Sequence, residues 1–217
     1  MADQAPATIE REPRWPAFVA MVAAAFLYWA LPERLSVGPD WLLPLVIVAL
    51  LIPTAVSHYG GYNNTARALM FVAIGLITAA MIVSLVFLVQ GLPQHREAPA
   101  ALLRSAAALW ITNVLVFALW YWKVDAGGPI SRDRARTTPV ADLNSSFLFP
   151  QMTGPDPDPN WSPQFVDYLF LAFNTSTAFS PTDTAVLSRG AKLAMMVQSL
   201  ISLSIIALLG ARAINIL

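Results

Sequence analysis

The sequence predicts an all-α integral membrane protein with five transmembrane helices and one re-entrant pore half-helix between the fourth and the fifth. Three observations carry that prediction. Hydrophobic residues make up 57% of the chain and charged residues 12%, against about 25% charged in soluble domains. Mean hydropathy is +0.59, and the apolar residues fall into blocks long enough to be spans. One late block, entered through Ser162-Pro163 and closed by Asn174-Thr175-Ser176-Thr177, is too short and too polar at its end to be one.

The chain begins with a polar tail, 1–14, in place of a short charged region and a cleavable apolar core, and its first apolar block leads into a second. That block is therefore read as a span and not as a signal peptide. It covers 18–31, extended by Trp15 to Ala17 and bounded by the interfacial aromatics Trp15, Tyr28 and Trp29. After a turn-rich connection, 33–40, the second block runs 41–56. Pro44 is tolerable in its first turn and Pro53 is expected to kink its far end. The two form a helical hairpin.

A polar connection, 57–65, leads to the third span, 66–89, long enough to cross with some tilt. The loop 90–99 holds Pro93, His95, Arg96 and Glu97. The fourth span, 100–122, closes on Trp120-Tyr121-Trp122-Lys123, an interfacial signature. Residues 1–122 thus form a four-helix region with an N-terminal tail. The connector, 123–162, carries Gly127-Gly128-Pro129, the basic residues Arg132, Arg134 and Arg136, and a Pro/Asp run from Pro155 to Pro159. It has loop composition without periodicity. Phe147-Leu148-Phe149 within it either rests on the membrane surface or packs over the re-entrant region.

Residues 163–217 are the part around which the rest is arranged. Ser162 is the expected N-cap and Pro163 the first helical residue. A helix over 163–177 is about 22 Å long at 1.5 Å per residue, while the hydrocarbon core is about 30 Å thick. A helix that stops part-way leaves carbonyls that lipid cannot satisfy, so the break must face protein or water. Its negative dipole end favours a cation there. The last span starts near Gly190. No internal repeat supports an inverted-repeat transporter.

The run Phe173-Asn174-Thr175-Ser176-Thr177-Ala178-Phe179-Ser180-Pro181-Thr182-Asp183, set between a short helix and a last spanning helix, resembles the pore region of tetrameric cation channels. Gly210-Ala211-Arg212-Ala213-Ile214-Asn215 is similar to the end of a channel inner helix. The rest of the chain resembles polytopic proteins of the bacterial inner membrane, a resemblance that brings no activity with it. With Asp183 on the family aspartate, Thr177 falls just before the filter, and Ala178, Phe179, Ser180, Pro181 and Thr182 occupy its five positions. The resemblance implies a channel-like pore, a homotetramer and a monovalent cation as partner.

The departures are specific. Ser180 and Thr182 replace both filter glycines and Pro181 replaces the tyrosine. A carbonyl ladder of the potassium type needs backbone handedness that threonine and proline resist. The pore is therefore expected not to select potassium. Side-chain hydroxyls of Thr175, Ser176, Thr177 and Ser180 would be the ligands. The other reading of Asn174 to Thr177 is that they only satisfy helix-end carbonyls. Asp183 is either a mouth charge or a cap. Gln198, Ser199 and Ser202 share one face of the last span, as pore lining or as hydrogen-bond partners of a neighbouring helix. Thr112 and Asn113, mid-span in the fourth helix, are expected to face protein. Asp167 sits where a carboxylate suits the helix dipole. The different-class alternative for the whole chain is a non-conducting scaffold or accessory subunit.

No enzyme or cofactor is expected. There is no cysteine, and His58 and His95 lie at opposite ends of the third span and cannot share a metal. No span holds a paired carboxylate or a zinc motif, and no basic stripe suits nucleic acid. An N-terminus in the cytoplasm puts Arg11, Arg14, Arg67, Lys123, Arg132, Arg134, Arg136, Arg189 and Lys192 on that side. Arg34, Arg96, Arg104 and Arg212 then lie opposite, the distribution the positive-inside rule favours.

Overall fold

The computed structural model describes residues 12–59, 63–91, 99–135, 145–153, 161–177 and 183–214. Its regular structure is helical: α1 Trp15–Leu27, α2 Leu42–Tyr59, α3 Asn63–Gly91, α4 Pro99–Val124, α5 Pro129–Ala135, α6 Phe165–Thr177 and α7 Arg189–Ile214. The exception is an antiparallel pair of two-residue strands, β1 Phe147–Leu148 and β2 Ala185–Val186, with Phe147 opposite Val186. Among the described residues three stretches are long and apolar enough to cross a membrane: Asn64–Gly91, Ala100–Gly127 and Arg189–Gly210. Two shorter apolar helices, Trp15–Ala30 and Leu42–Val56, accompany them. The architecture is that of an all-α membrane protein.

α4 is the centre. Its apolar window is 67% buried, against 39% for that of α3 and 22% for that of α7, and α1, α3, α6 and α7 all pack on it. α1 approaches through a face of small side chains, Ala17, Ala20, Ala24 and Ala25, with Met21 between them. Small residues let helix backbones come close, which is how helices associate where burial from water supplies no force. α2 lies against α3 and runs through Pro53 to Tyr59.

The connector differs from its expected loop character. α4 continues to Val124, a 3-10 turn covers Asp125–Gly127, and α5 follows at once. The reversal is made by consecutive positive-φ residues, Ala126, Gly127 and Gly128, after which Pro129 opens α5 with its φ already suited to a first helical position. Glycine is required at 128, where a Cβ would sit 2.9 Å from the Lys123 carbonyl. Of the two readings of Phe147 and Phe149, packing over the short helix is the one found. Both rings are buried and stand edge-on to Tyr168 of α6.

α6 starts at Phe165, two residues after the expected Pro163. The reason is Asp167, whose carboxylate accepts the Gln164 N–H at 2.7 Å. This is the returning half of a capping box, and it sets the helix boundary at Gln164.

Candidate functional site

α6 buries Phe165, Tyr168, Leu171, Ala172, Asn174 and Ser176, one face that lies mainly on α4 and partly on α7. Its last turn ends beside Gln198 of α7. The Gln198 Nε2 donates to the Ala172 carbonyl and to Ser176 Oγ, both at 2.7 Å, while its Oε1 accepts from the Tyr121 hydroxyl of α4. One amide therefore joins three helices. Ser199 Oγ donates to the Thr175 carbonyl at 3.3 Å, and Thr177 Oγ1 to the Asn174 carbonyl at 3.1 Å. Thr175 Oγ1 donates back to Leu171 at 2.8 Å. Two of the freed carbonyls of the α6 end, those of Asn174 and Thr175, are thus met by side chains of the same chain.

A second link follows one turn further along α7. Asn113 Nδ2 of α4 donates to Ser202 Oγ at 2.7 Å and to the Gln198 carbonyl at 3.3 Å. Asn113 Oδ1 is buried and has no partner among the described residues. Thr112 bonds back to Ala108, and both Thr112 and Asn113 face protein, as the sequence indicates. Pairing Tyr121 with Gln198 and Asn113 with Ser202 makes α4 and α7 antiparallel.

Of the sequence-predicted site residues, the structure joins Ser176 to Gln198 and Thr175 to Ser199, while Thr177 bonds Asn174 within α6 and Ser202 bonds Asn113 of α4. Gln198 and Ser176 are completely buried within the single chain, and Ser202 and Asn174 are buried too. Asp183 is exposed and lies just before β2. Ala178, Phe179, Ser180, Pro181 and Thr182 lie outside the described residues.

A second polar cluster, which sequence reasoning missed, holds the other end of α6. Asp125, fully buried where α4 ends, accepts from Ser145 Oγ at 2.9 Å, from the Ser146 N–H at 2.6 Å and from the Phe147 N–H at 3.3 Å. Its Oδ2 accepts from the Tyr168 hydroxyl of α6 at 2.6 Å. Beside it, Arg132 of α5 donates to the Trp122 and Asp125 carbonyls, both at 2.9 Å. Arg132 also forks onto Glu12, its closest approach 2.9 Å, and lies over the Tyr168 ring. Glu12 takes a further hydrogen bond from the Trp122 indole N–H. β1 carries the anchor across to β2, since the Leu187 N–H donates to the Ser146 carbonyl at 2.8 Å. The start of α6 and the start of α7 therefore meet at the same end of α4. Nothing in the sequence marks these partners, because Glu12 and Arg132 are 120 positions apart and each stands in a charged, loop-like stretch.

No protein-family model, curated protein or solved structure matches the chain. The electrostatics of the anchor must therefore be read from its own residues. Glu12 lies ahead of the first helix, and burial pushes its carboxyl above the ordinary value of 4.5, against the pull of Arg132 and the Trp122 N–H. A carboxyl whose folded pKa is raised binds its proton more tightly in the folded state. Its contribution is thus fully present below 4.5 and is lost as pH rises through the folded value. Melting curves of Glu12→Gln and wild type should therefore converge or cross in favour of the glutamine as pH climbs from 4.5 towards neutrality. A gap that stays constant over that range would contradict the assignment.

Proposed function

We propose that this is a five-span membrane protein in which α6 is a re-entrant half-helix, and that it serves as a non-conducting scaffold or accessory subunit with a channel-like fold. One observation carries the reading. Ser176, Gln198 and Ser202, side chains a pore would need, are buried inside the single chain, where they bond its own backbone and neighbouring helices instead of facing a path between subunits.

The topology supports the half-helix. α6 has 13 residues, about 20 Å at 1.5 Å per residue, too short for a core about 30 Å thick. Its end lies beside Gln198, nine residues into α7, which is about 14 Å from the start of that helix. Eight residues later the chain is at β2, back at the Asp125 end of α4. An entry and a return on one side account for all three facts. Trp15–Ala30 and Leu42–Val56 supply the remaining two spans if the bilayer thins or the flanking aromatics anchor them.

The pore reading keeps one specific support. α6 leaves Val166, Phe170 and Phe173 exposed along one face, and a four-fold ring of subunits would cover them. Ligands would then have to come from Ser180 and its neighbours. Proteoliposomes distinguish the two. The scaffold reading expects sodium and potassium efflux no faster than from empty vesicles under either polarity of voltage. Efflux that appears with the wild type and disappears with Thr177→Val or Ser180→Val would overturn it.

A further inference from the structure

A cleft of about 400 Å³ lies between α4 and the first half of α7, with Thr78 of α3 and Phe147 of β1 at its sides. Its walls are almost wholly apolar, formed by Phe117, Trp120 and Tyr121 on one side and by Leu193, Ala194 and Val197 on the other. The polar side-chain groups of its lining are already used, since the Trp120 indole N–H donates to Thr78 Oγ1 at 3.0 Å and the Tyr121 hydroxyl donates to Gln198. Leu193 is 62% and Val197 46% exposed, so the cleft opens at the surface of the protein. The volume is within the range of sites that take small molecules, roughly 300–1,000 Å³. In a bilayer, the apolar matter available to fill it is an acyl chain.

The charge at the rim decides which lipid. Gly190 and Ala191 line the cleft at the first turn of α7, and Arg189 and Lys192 flank them, both exposed. Neither forms an ion pair among the described residues. Arg189 stands one turn above Leu193 on the same flank of the helix, as residues four apart do. This end of α7 is also the end that carries Arg14, Arg67, Lys123 and Arg132, because β2 and the Asp125 anchor bring them there. By the positive-inside rule that is the cytoplasmic side, whose leaflet carries the anionic lipids.

We propose that the α4–α7 cleft binds one acyl chain of an anionic phospholipid whose phosphate is held at the cytoplasmic rim by Arg189, with Lys192 as a second positive charge. The site is independent of whether the chain conducts. The test uses the full chain purified in detergent, with phosphatidylglycerol, phosphatidylcholine, glycerol phosphate and inorganic phosphate as probes, read by native mass spectrometry and by thermal shift. Phosphatidylglycerol is expected to bind about tenfold better than phosphatidylcholine, at roughly fivefold or less per basic side chain, and neither water-soluble phosphate should shift the melt. Arg189→Gln with Lys192→Gln changes only exposed side chains and should bring the two lipids close to parity. Ala194→Phe, which fills the cleft, should weaken both lipids together. Equal binding of the two lipids to the wild type would overturn the proposal. So would a phosphatidylglycerol preference that survives the double glutamine variant, lipid binding untouched by Ala194→Phe, or a thermal shift produced by free phosphate.

Discussion

Asp125→Ala is expected to cost about 3–5 kcal/mol and to release the N-terminal end of α6, the largest single loss in the molecule. The carboxylate is fully buried and accepts four hydrogen bonds, from Ser145, from the Ser146 and Phe147 N–H groups and from Tyr168. Alanine leaves all four donors facing a cavity, and it leaves the neighbouring Arg132 with less compensation. Breaking a buried, charged network by removing one partner costs about 3–5 kcal/mol, mostly the desolvation of what remains. Asp125→Asn should lose less than half of that. Its retained oxygen still accepts from Ser146 and Phe147, and its amide can donate to the Tyr168 oxygen. Thermal melts in detergent check the magnitude. Proteolysis of the 145–164 stretch checks the location, since β1 should come free in the alanine variant and stay docked in the asparagine one.

Gln198→Leu ranks second, at about 2–3 kcal/mol. Leucine matches the volume but removes two donors and one acceptor at once, so the Ala172 carbonyl, Ser176 and Tyr121 lose their partner together. Interhelical hydrogen bonds inside a membrane average about 0.6 kcal/mol and reach at most about 1.7, so three of them at or somewhat above the average give about 2–3 kcal/mol. Tyr121→Phe should cost about 1 kcal/mol, because it removes one member and leaves the Gln198 clamp on α6 intact. A double-mutant cycle of Gln198→Leu with Ser176→Ala measures the coupling directly. Strict additivity would mean that the amide does not hold the helix end.

How much of this could be read beforehand depends on the range of the interaction. α3, α4 and α7 were legible to within a few residues, because each is one uninterrupted apolar run whose backbone bonds close within itself. The Asn-Thr-Ser-Thr end of α6 and the shared face of Gln198 and Ser202 were legible as features, and so was the need for partners. Which partner each finds was not, since Tyr121 reads as an interfacial aromatic until α7 is laid against α4. α5 and β1 were missed for a related reason. α5 has only 7 residues, too few for a periodic signal, and is held by Arg132 reaching a residue in the N-terminal tail. In the sequence Arg132 reads as one charge of a solvated basic cluster. In the fold it is buried, because Glu12 and two carbonyls satisfy its donors.

The half-helix itself is tested most directly by the sidedness of its two flanks. The chain has no cysteine, so single substitutions at exposed positions report cleanly: Gln164→Cys before α6, Asp183→Cys after it, and Val37→Cys in the turn between α1 and α2 as the opposite-side control. A membrane-impermeant thiol reagent added to sealed, oriented vesicles should label Cys at 164 and at 183 from one and the same face, the face of the N-terminal tail, and should reach position 37 only from the other. Labelling of 164 and 183 from opposite faces would make α6 a crossing helix and would contradict the account at its centre.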